Sequence, residues 1–255
     1  MLYIDCRMLQ GSGISTYLMG LIRIYKKKHN SQKNINYLVK NYTRVIPNAP
    51  DFSNQYPFKS NIYSLNEQIF YPSILKSNDV LHVPHYNAPL RFPGKLIVTV
   101  HDLCHLVMKE FFKGPAKRFY SSIFMRQVLK KSSVIITPSH FTRGEILKYF
   151  NIDPQKISVI YNGLDPHFYP RTINEQETAQ KANGFPKSYL LYVGNIKRHK
   201  NIKRLIQGYY KAWKQKSDLP KLIIVGQSDQ GYDPYLEATS EYDEVHPDFK
   251  NQVIF

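Results

Sequence analysis

The sequence predicts an α/β fold built on parallel sheets. Two observations carry that expectation. Short apolar or β-branched runs recur along the chain, and the segments between them space their apolar residues as helices do. Several of the runs are apolar on both faces, which suits strands covered from two sides.

Leu2–Asp5 opens the chain as a strand. Ile14–His29 follows as a helix, with Ile14, Leu18, Leu21, Ile22 and Tyr25 on one face. Tyr37–Lys40, Val80–Val83 and Leu96–Val100 read as the next strands. Ala116–Lys131 is helical and follows Pro115, a residue suited to a first helical turn. Val134–Thr137 is a strand, and Ser139 is placed to cap a helix over Phe141–Phe150. Ile157–Tyr161 and Tyr189–Gly194 are strands. Ile202–Lys216 is a helix carrying Ile202, Leu205, Ile206, Tyr209 and Trp213 along one face. Lys221–Gly226 and Gln252–Phe255 complete the strands.

At 255 residues the chain is long enough for one large domain or two small ones. Pro166, Pro170 and Pro186 cluster around a polar, charged stretch, Thr172–Ala182, and a fresh strand begins at Tyr189. The expected division is a first domain over 1–170, a linker over 171–187 and a second α/β unit over 188–255. With three strands the second unit has too little chain to cover a sheet on both faces, so it reads as incomplete.

The 35 Lys and Arg against 19 Asp and Glu give a net charge of +16, which favours anionic partners. No RRM, helix-turn-helix or zinc-finger pattern accompanies the charge, so nucleic acid is not the expected partner. The two cysteines, Cys6 and Cys104, read as reduced thiols and support neither a disulfide framework nor a zinc site. No apolar run approaches the ~18 residues of a membrane span, and the start lacks a secretory signal. A cytoplasmic protein is expected, with the excess positive charge available for peripheral contact with an anionic membrane face.

The richest stretch runs from Tyr189 through Gly194, Asn195, Lys197, Arg198, His199, Lys200 and Asn201 into the helix at Ile202. A strand, a glycine turn, a helix start and clustered cations are the parts of a phosphate site. Gly11-Ser12-Gly13 lies between the first strand and the first helix, where glycine lets backbone approach a ligand. A dinucleotide fingerprint would need a small residue at Thr16 and an acid near Lys40-Asn41-Tyr42, so a tight turn is the competing reading. His101-Asp102 ends a strand, where ligands bind in open sheets, and a capping or turn role competes there too. Val83-Pro84-His85-Tyr86-Asn87 and Ser139-His140 follow strand ends as well, without a Gly-x-Ser-x-Gly setting.

His101-Asp102-Leu103, Ile136-Thr-Pro-Ser139-x-Phe-Thr-x-x-Glu145, Ile157-x-Val-Ile-Tyr-Asn-Gly163-Leu-Asp165 and Val193-Gly-Asn-x-Lys-x-His199-Lys200-Asn201 stand in the order seen in family 4 glycosyltransferases, which the chain resembles. Leu65-Asn-Glu67-Gln68 and Leu81–Asn87 resemble the bacterial mannosyltransferases of lipopolysaccharide and capsule assembly. The resemblance implies the GT-B fold, two Rossmann-like domains, and retaining transfer of a hexose, mannose favoured, from a UDP- or GDP-sugar to a glycan or lipid-linked acceptor. It implies His101 and Asp102 as catalytic groups and Gly11, Gly13, Gly194, Asn195, Lys197 and Lys200 as donor-binding, with Lys200 opposite the departing diphosphate. No cofactor and no bound metal are implied. The family often has Arg where this chain has Asn195, and its pair of glutamates is not matched by Glu237, Glu241 and Glu244. The missing pair motivates two further expectations: that the chain is truncated within its second domain, and, as the alternative function, that it is a non-catalytic binding protein on the same scaffold.

Helix Ala116–Lys131 mixes Phe119, Tyr120, Ile123, Phe124 and Met125 with Lys117, Arg118, Arg126, Lys130 and Lys131. That composition suits either an interfacial membrane helix or a core helix with a basic outer face.

Overall fold

A computed structural model describes residues 1–9, 13–28, 35–40, 54–62, 64, 66–67, 71–108, 115–229 and 231–255, with residues 26 and 115–120 described in backbone alone. The chain divides into two compact units, Met1–Phe168 and Tyr169–Phe255.

The first unit is a parallel sheet in the order β3-β2-β1-β4-β5-β6-β7. Its strands are β1 (Leu2–Asp5), β2 (Ile35–Val39), β3 (Gln55–Pro57), β4 (Val80–Val83), β5 (Lys95–Thr99), β6 (Val134–Thr137) and β7 (Ile157–Val159). The helices are α1 (Gly13–Lys28), a single turn α2 (Cys104–Val107), α3 (Pro115–Lys131) and α4 (His140–Tyr149). Strand order reverses between β1 and β4, where Ile4 stands opposite His82. The C-terminal edge beside that reversal is where open α/β sheets bind ligands.

Alternation along each strand splits the core in two. Ile4, Tyr37 and Val39 pack with Leu18 and Ile22 of α1. Their neighbours Tyr3 and Leu38 face the other way, into a cluster with Leu81, Leu96, Val98, Met125, Leu129 and Ile146. Both sheet faces are therefore covered, which is why the strands read as continuous apolar runs. Ser139 caps α4 as expected, its hydroxyl accepting the Thr142 N–H. In α3, Phe124, Met125, Val128 and Leu129 are buried while Arg126, Lys130 and Lys131 are exposed. The helix is thus packed into the core with a basic outer face. The interfacial reading loses Phe124 and Met125, because the sheet takes their face, and the side chains of Phe119 and Tyr120 lie outside the described residues.

The second unit carries the parallel sheet β10-β9-β8, from β8 (Tyr189–Val193), β9 (Lys221–Val225) and β10 (Val253–Ile254). Helix α6 (Ile202–Gln215) buries Ile202, Ile206, Tyr209, Tyr210 and Trp213 on one face of it, with Leu222, Ile224 and Val253. On the other face Leu191, Val193 and Val225 are exposed. A short helix, α7 (Pro234–Thr239), is capped by Asp233.

The segment read as linker holds a helix, α5 (Ile173–Asn183), that periodicity did not reveal because none of its residues is buried. Its ends are written in local chemistry instead. Thr172 and Glu175 form a reciprocal capping box, and Gly184 closes the helix at φ +65°, a conformation glycine adopts without a Cβ clash. Among the described residues no helix is long and apolar enough to cross a membrane.

Candidate functional site

In the first unit the chemistry gathers at the C-terminal ends of β1, β4 and β5. Asp5 ends β1, and the chain turns so that Arg7 folds back onto it. Arg7 Nε donates to Asp5 Oδ1 at 2.9 Å and Nη2 to Asp5 Oδ2 at 2.5 Å, a two-pronged pairing that matches guanidinium to carboxylate. The same Nη2 donates to Glu67 Oε1, and Nη1 donates to the Ser60 carbonyl at 2.9 Å. The guanidinium also lies 3.6 Å from the Phe58 ring centroid. Asn87, in the turn after β4, donates its side-chain amide to Glu67 Oε2. Its backbone N–H donates to His85 Nδ1 at 3.1 Å, which leaves the proton of a neutral His85 ring on Nε2, 4.0 Å from Asp5 Oδ2.

All five side chains are buried. Burial alone would raise the Asp5 pKa, but the charge and hydrogen bonds of Arg7 outweigh it and hold the carboxyl below its usual range. Burial also acts to lower Arg7, and Asp5 and Glu67 together raise it. Burial depresses His82 and His85 to about 4, against the pull of Asp5. The donor atoms of Asp5, Glu67 and His85 lie within 4.8 Å of one another, a grouping able to hold a cation. The Arg7 guanidinium already bridges the two carboxylates as the cation of this cluster.

Beside this network stands His101, two residues past the end of β5. Its Nε2 lies 3.0 Å from the Pro84 carbonyl, its ring meets Tyr17 of α1 edge-on at 5.1 Å, and its own carbonyl accepts from the Thr142 hydroxyl at 3.1 Å. Burial pushes its pKa down, and the Pro84 contact and Asp102 oppose that. A second chain runs from Tyr17 Oη to Thr99 Oγ1 at 3.2 Å and on to His82 Nε2 at 2.9 Å. Asp102 is exposed, and its Oδ1 accepts the Cys104 N–H at 3.0 Å, so it also supports the single turn α2. Gly13 begins α1 on the exposed side, and Ser15 ties that turn to the Leu9 carbonyl at 2.8 Å. Gly11 lies outside the described residues.

In the second unit Gly194 follows β8 and packs against Gly226 at the end of β9. A Cβ at Gly226 would enter the space of the Gly194 carbonyl, so only glycine keeps the two strand ends this close. Asn195 is exposed beside it. Arg198–Lys200 forms a 3-10 turn that ends on Asn201, held at φ 57° as the residue before α6. The cations here are unequal. Lys197 pairs with Asp229 at 3.3 Å, Arg198 with Glu237 and Lys203 with Glu241. Lys200 is exposed and has no carboxylate within ion-pair distance among the described residues.

Structure thus brings His101 together with residues that pattern reading did not single out: Asp5, Arg7, Tyr17 and Thr99. An acid and a base two apart at the end of a largely buried strand is the one local signal for the first pair. Tyr17 and Thr99 gave none, since they meet across 82 residues of sequence.

The sequence profile of Glycosyltransferase Family 4 matches residues 22–168, more than half of the chain. The chain is 25% identical over 195 residues to the O-antigen chain mannosyltransferase RfbU of Salmonella typhimurium, covering 76% of this chain and 50% of that protein. It is 28% identical over 131 residues to O-antigen chain mannosyltransferase B of Escherichia coli, covering 51% and 34% respectively. The chain therefore spans half or less of the length of these curated relatives. Among solved structures, the Anabaena HepE protein in complex with UDP-glucose superposes with a TM-score of 0.63 at 15% identity, covering all of this chain and 68% of that one. Sucrose-phosphate synthase from Thermosynechococcus elongatus gives 0.61 at 15% identity, covering 100% and 69%. The fold is that of the GT-B glycosyltransferases. By that match and this architecture, the chain belongs to glycosyltransferase family 4.

Proposed function

We propose that this protein transfers a hexose, mannose favoured, from a UDP- or GDP-sugar to a cell-envelope glycan or lipid-linked acceptor, with retention at the anomeric carbon. His101 stands beside the transferred sugar with Asp102 next to it. The turn of Gly11 and Gly13 approaches the donor diphosphate. Gly194, Asn195, Lys197 and Lys200 receive the diphosphate, and Lys200 neutralises the charge that grows on it as the glycosidic bond breaks. Substitution occurs on one face of the sugar through a dissociative transition state.

The observation that supports this most is the exposed Lys200, which has no ion-pair partner among the described residues. Lys197, Arg198 and Lys203 are each matched to a carboxylate, whereas Lys200 stands at the strand-end turn with its charge available to an anion. The names of the two mannosyltransferase relatives support the sugar, and the UDP-glucose of the Anabaena structure supports a nucleotide-sugar donor.

The test is to incubate the purified chain with GDP-mannose, UDP-glucose and a membrane-extracted acceptor, and to measure released GDP or UDP. Turnover that falls about 10²-fold in Lys200→Ala is expected. Nucleotide binding by calorimetry without any release would select the binding-protein alternative. Neither binding nor release would defeat both.

A further inference from the structure

A carbonyl oxygen can only accept a hydrogen bond, so the 3.0 Å contact between His101 Nε2 and the Pro84 carbonyl places the imidazole proton on Nε2. A neutral His101 then offers Nδ1 as a bare lone pair. That lone pair accepts from a hydroxyl and cannot donate to a phosphate or carboxylate oxygen.

What holds the Pro84 carbonyl in place is the buried network one strand over. Pro84 begins the turn Pro84–Asn87 beyond β4, in which Pro84, His85 and Asn87 are buried. His85 and Asn87 in that turn are bound to each other through His85 Nδ1, and Asn87 is bound to Glu67. Glu67 is in turn held by Arg7, which is forked onto Asp5 at the end of β1. Contacts therefore run from β1 through Arg7, Glu67 and Asn87 to His85, and the backbone of that turn carries on to the Pro84 carbonyl that accepts from His101. We propose that Glu67 and Asn87 are positioning residues that fix His101 in the Nε2–H form, so that it reads a sugar hydroxyl as an acceptor. The proposal rests on the reading of His101 as the group beside the transferred sugar.

The experiment is NMR on protein labelled with nitrogen-15 at histidine, with His101 assigned by its loss in His101→Gln. In the native protein the His101 proton is expected on Nε2, in slow exchange with solvent because the Pro84 carbonyl holds it. In Asn87→Ala, and in the milder Asn87→Ser, that exchange is expected to speed by about tenfold or more, while the ring signals of His82, buried in the same unit, keep their native positions. Glu67→Gln alone is expected to keep the native exchange, since a glutamine carbonyl still accepts from Arg7 and its amide meets a flipped Asn87. In turnover assays Asn87→Ala is expected to lower kcat about tenfold at constant donor KM, the mark of a misplaced group rather than lost binding. A native proton on Nδ1, or exchange within about twofold of native in both Asn87 variants, overturns the proposal. These signals are read without substrate. A missing transferase activity would therefore count against the function proposed above, and the exchange comparison would still decide this one.

Discussion

Replacing Arg7 by methionine removes the guanidinium that bridges two carboxylates in a buried cluster. Asp5 is 1% exposed and Glu67 not at all, so neither carboxylate can recover water in the folded state. Breaking a buried ion pair on one side costs about 3–5 kcal/mol, because the charge left behind has lost its partner as well as its solvent. At a urea slope near 2 kcal/mol/M, that loss moves the unfolding midpoint of the first unit down by about 1.5–2.5 M. The pH dependence carries a second signature. In the native protein the Asp5 pKa is depressed, so its contribution is present above the unfolded-state pKa and is lost as pH falls through the folded one. Without Arg7 burial dominates and raises that pKa, so the variant regains stability as its carboxyls protonate. The gap between native and variant should narrow from pH 7 to pH 5. Urea titration followed by far-UV circular dichroism measures it, and the single tryptophan, Trp213, sits in the second unit and reports that unit as an internal control. Arg7→Lys should fall between the two, since an ammonium keeps the charge and loses the fork. A midpoint shift below about 0.3 M, or a gap that widens on acidification, would refute the reasoning.

Gly226→Ala should separate the ends of β8 and β9 and destabilise the second unit by several times the ~1 kcal/mol of an ordinary substitution, seen as a lower Trp213 fluorescence midpoint with the first unit unchanged. Thr172→Ala removes half of a reciprocal capping box and should cost α5 about 1 kcal/mol, measured as faster amide exchange over residues 173–183. His82 and His85 are neutral in the fold, with pKa values pushed to about 4, while the unfolded chain takes up protons near 6.5. Stability of the first unit should therefore fall between pH 6.5 and 4, and double replacement by glutamine should flatten that slope in a urea–pH series. If His101 must be neutral, its burial-depressed pKa predicts kcat/KM that is level through pH 7 and drops only below the ordinary histidine range.

Most of the architecture was legible in the chain. The strands Leu2–Asp5, Val80–Val83 and Val134–Thr137 stand as their apolar runs indicated, the helices over residues 13–28 and 202–215 follow their 3.6-residue periodicity, and those over 115–131 and 140–149 follow the start signals of Pro115 and Ser139. What escaped has a physical reason in each case. Gln55–Pro57 is too short and too polar to announce a strand, and it forms because Tyr37–Val39 offers an edge to pair with. Helix α5 buries nothing, so only the Thr172–Glu175 pair marked it. The apolar run Ile157–Tyr161 is two residues longer than β7, because Ile160 and Tyr161 are apolar yet exposed beyond the strand.

The candidate site divides the same way. Residues adjacent in sequence can declare a strand end, a glycine turn or a run of cations, and so His101, Gly194 and Lys200 were visible one at a time. Whether a cation is free or neutralised depends on carboxylates far along the chain: Asp229, Glu237 and Glu241 for Lys197, Arg198 and Lys203. Which nitrogen of His101 carries the proton depends on a carbonyl 17 residues away, and that carbonyl on a guanidinium in the first turn of the chain. Local pattern records backbone preference and burial. Charge balance and tautomer are properties of contacts that exist only once β1, β4 and β5 lie side by side.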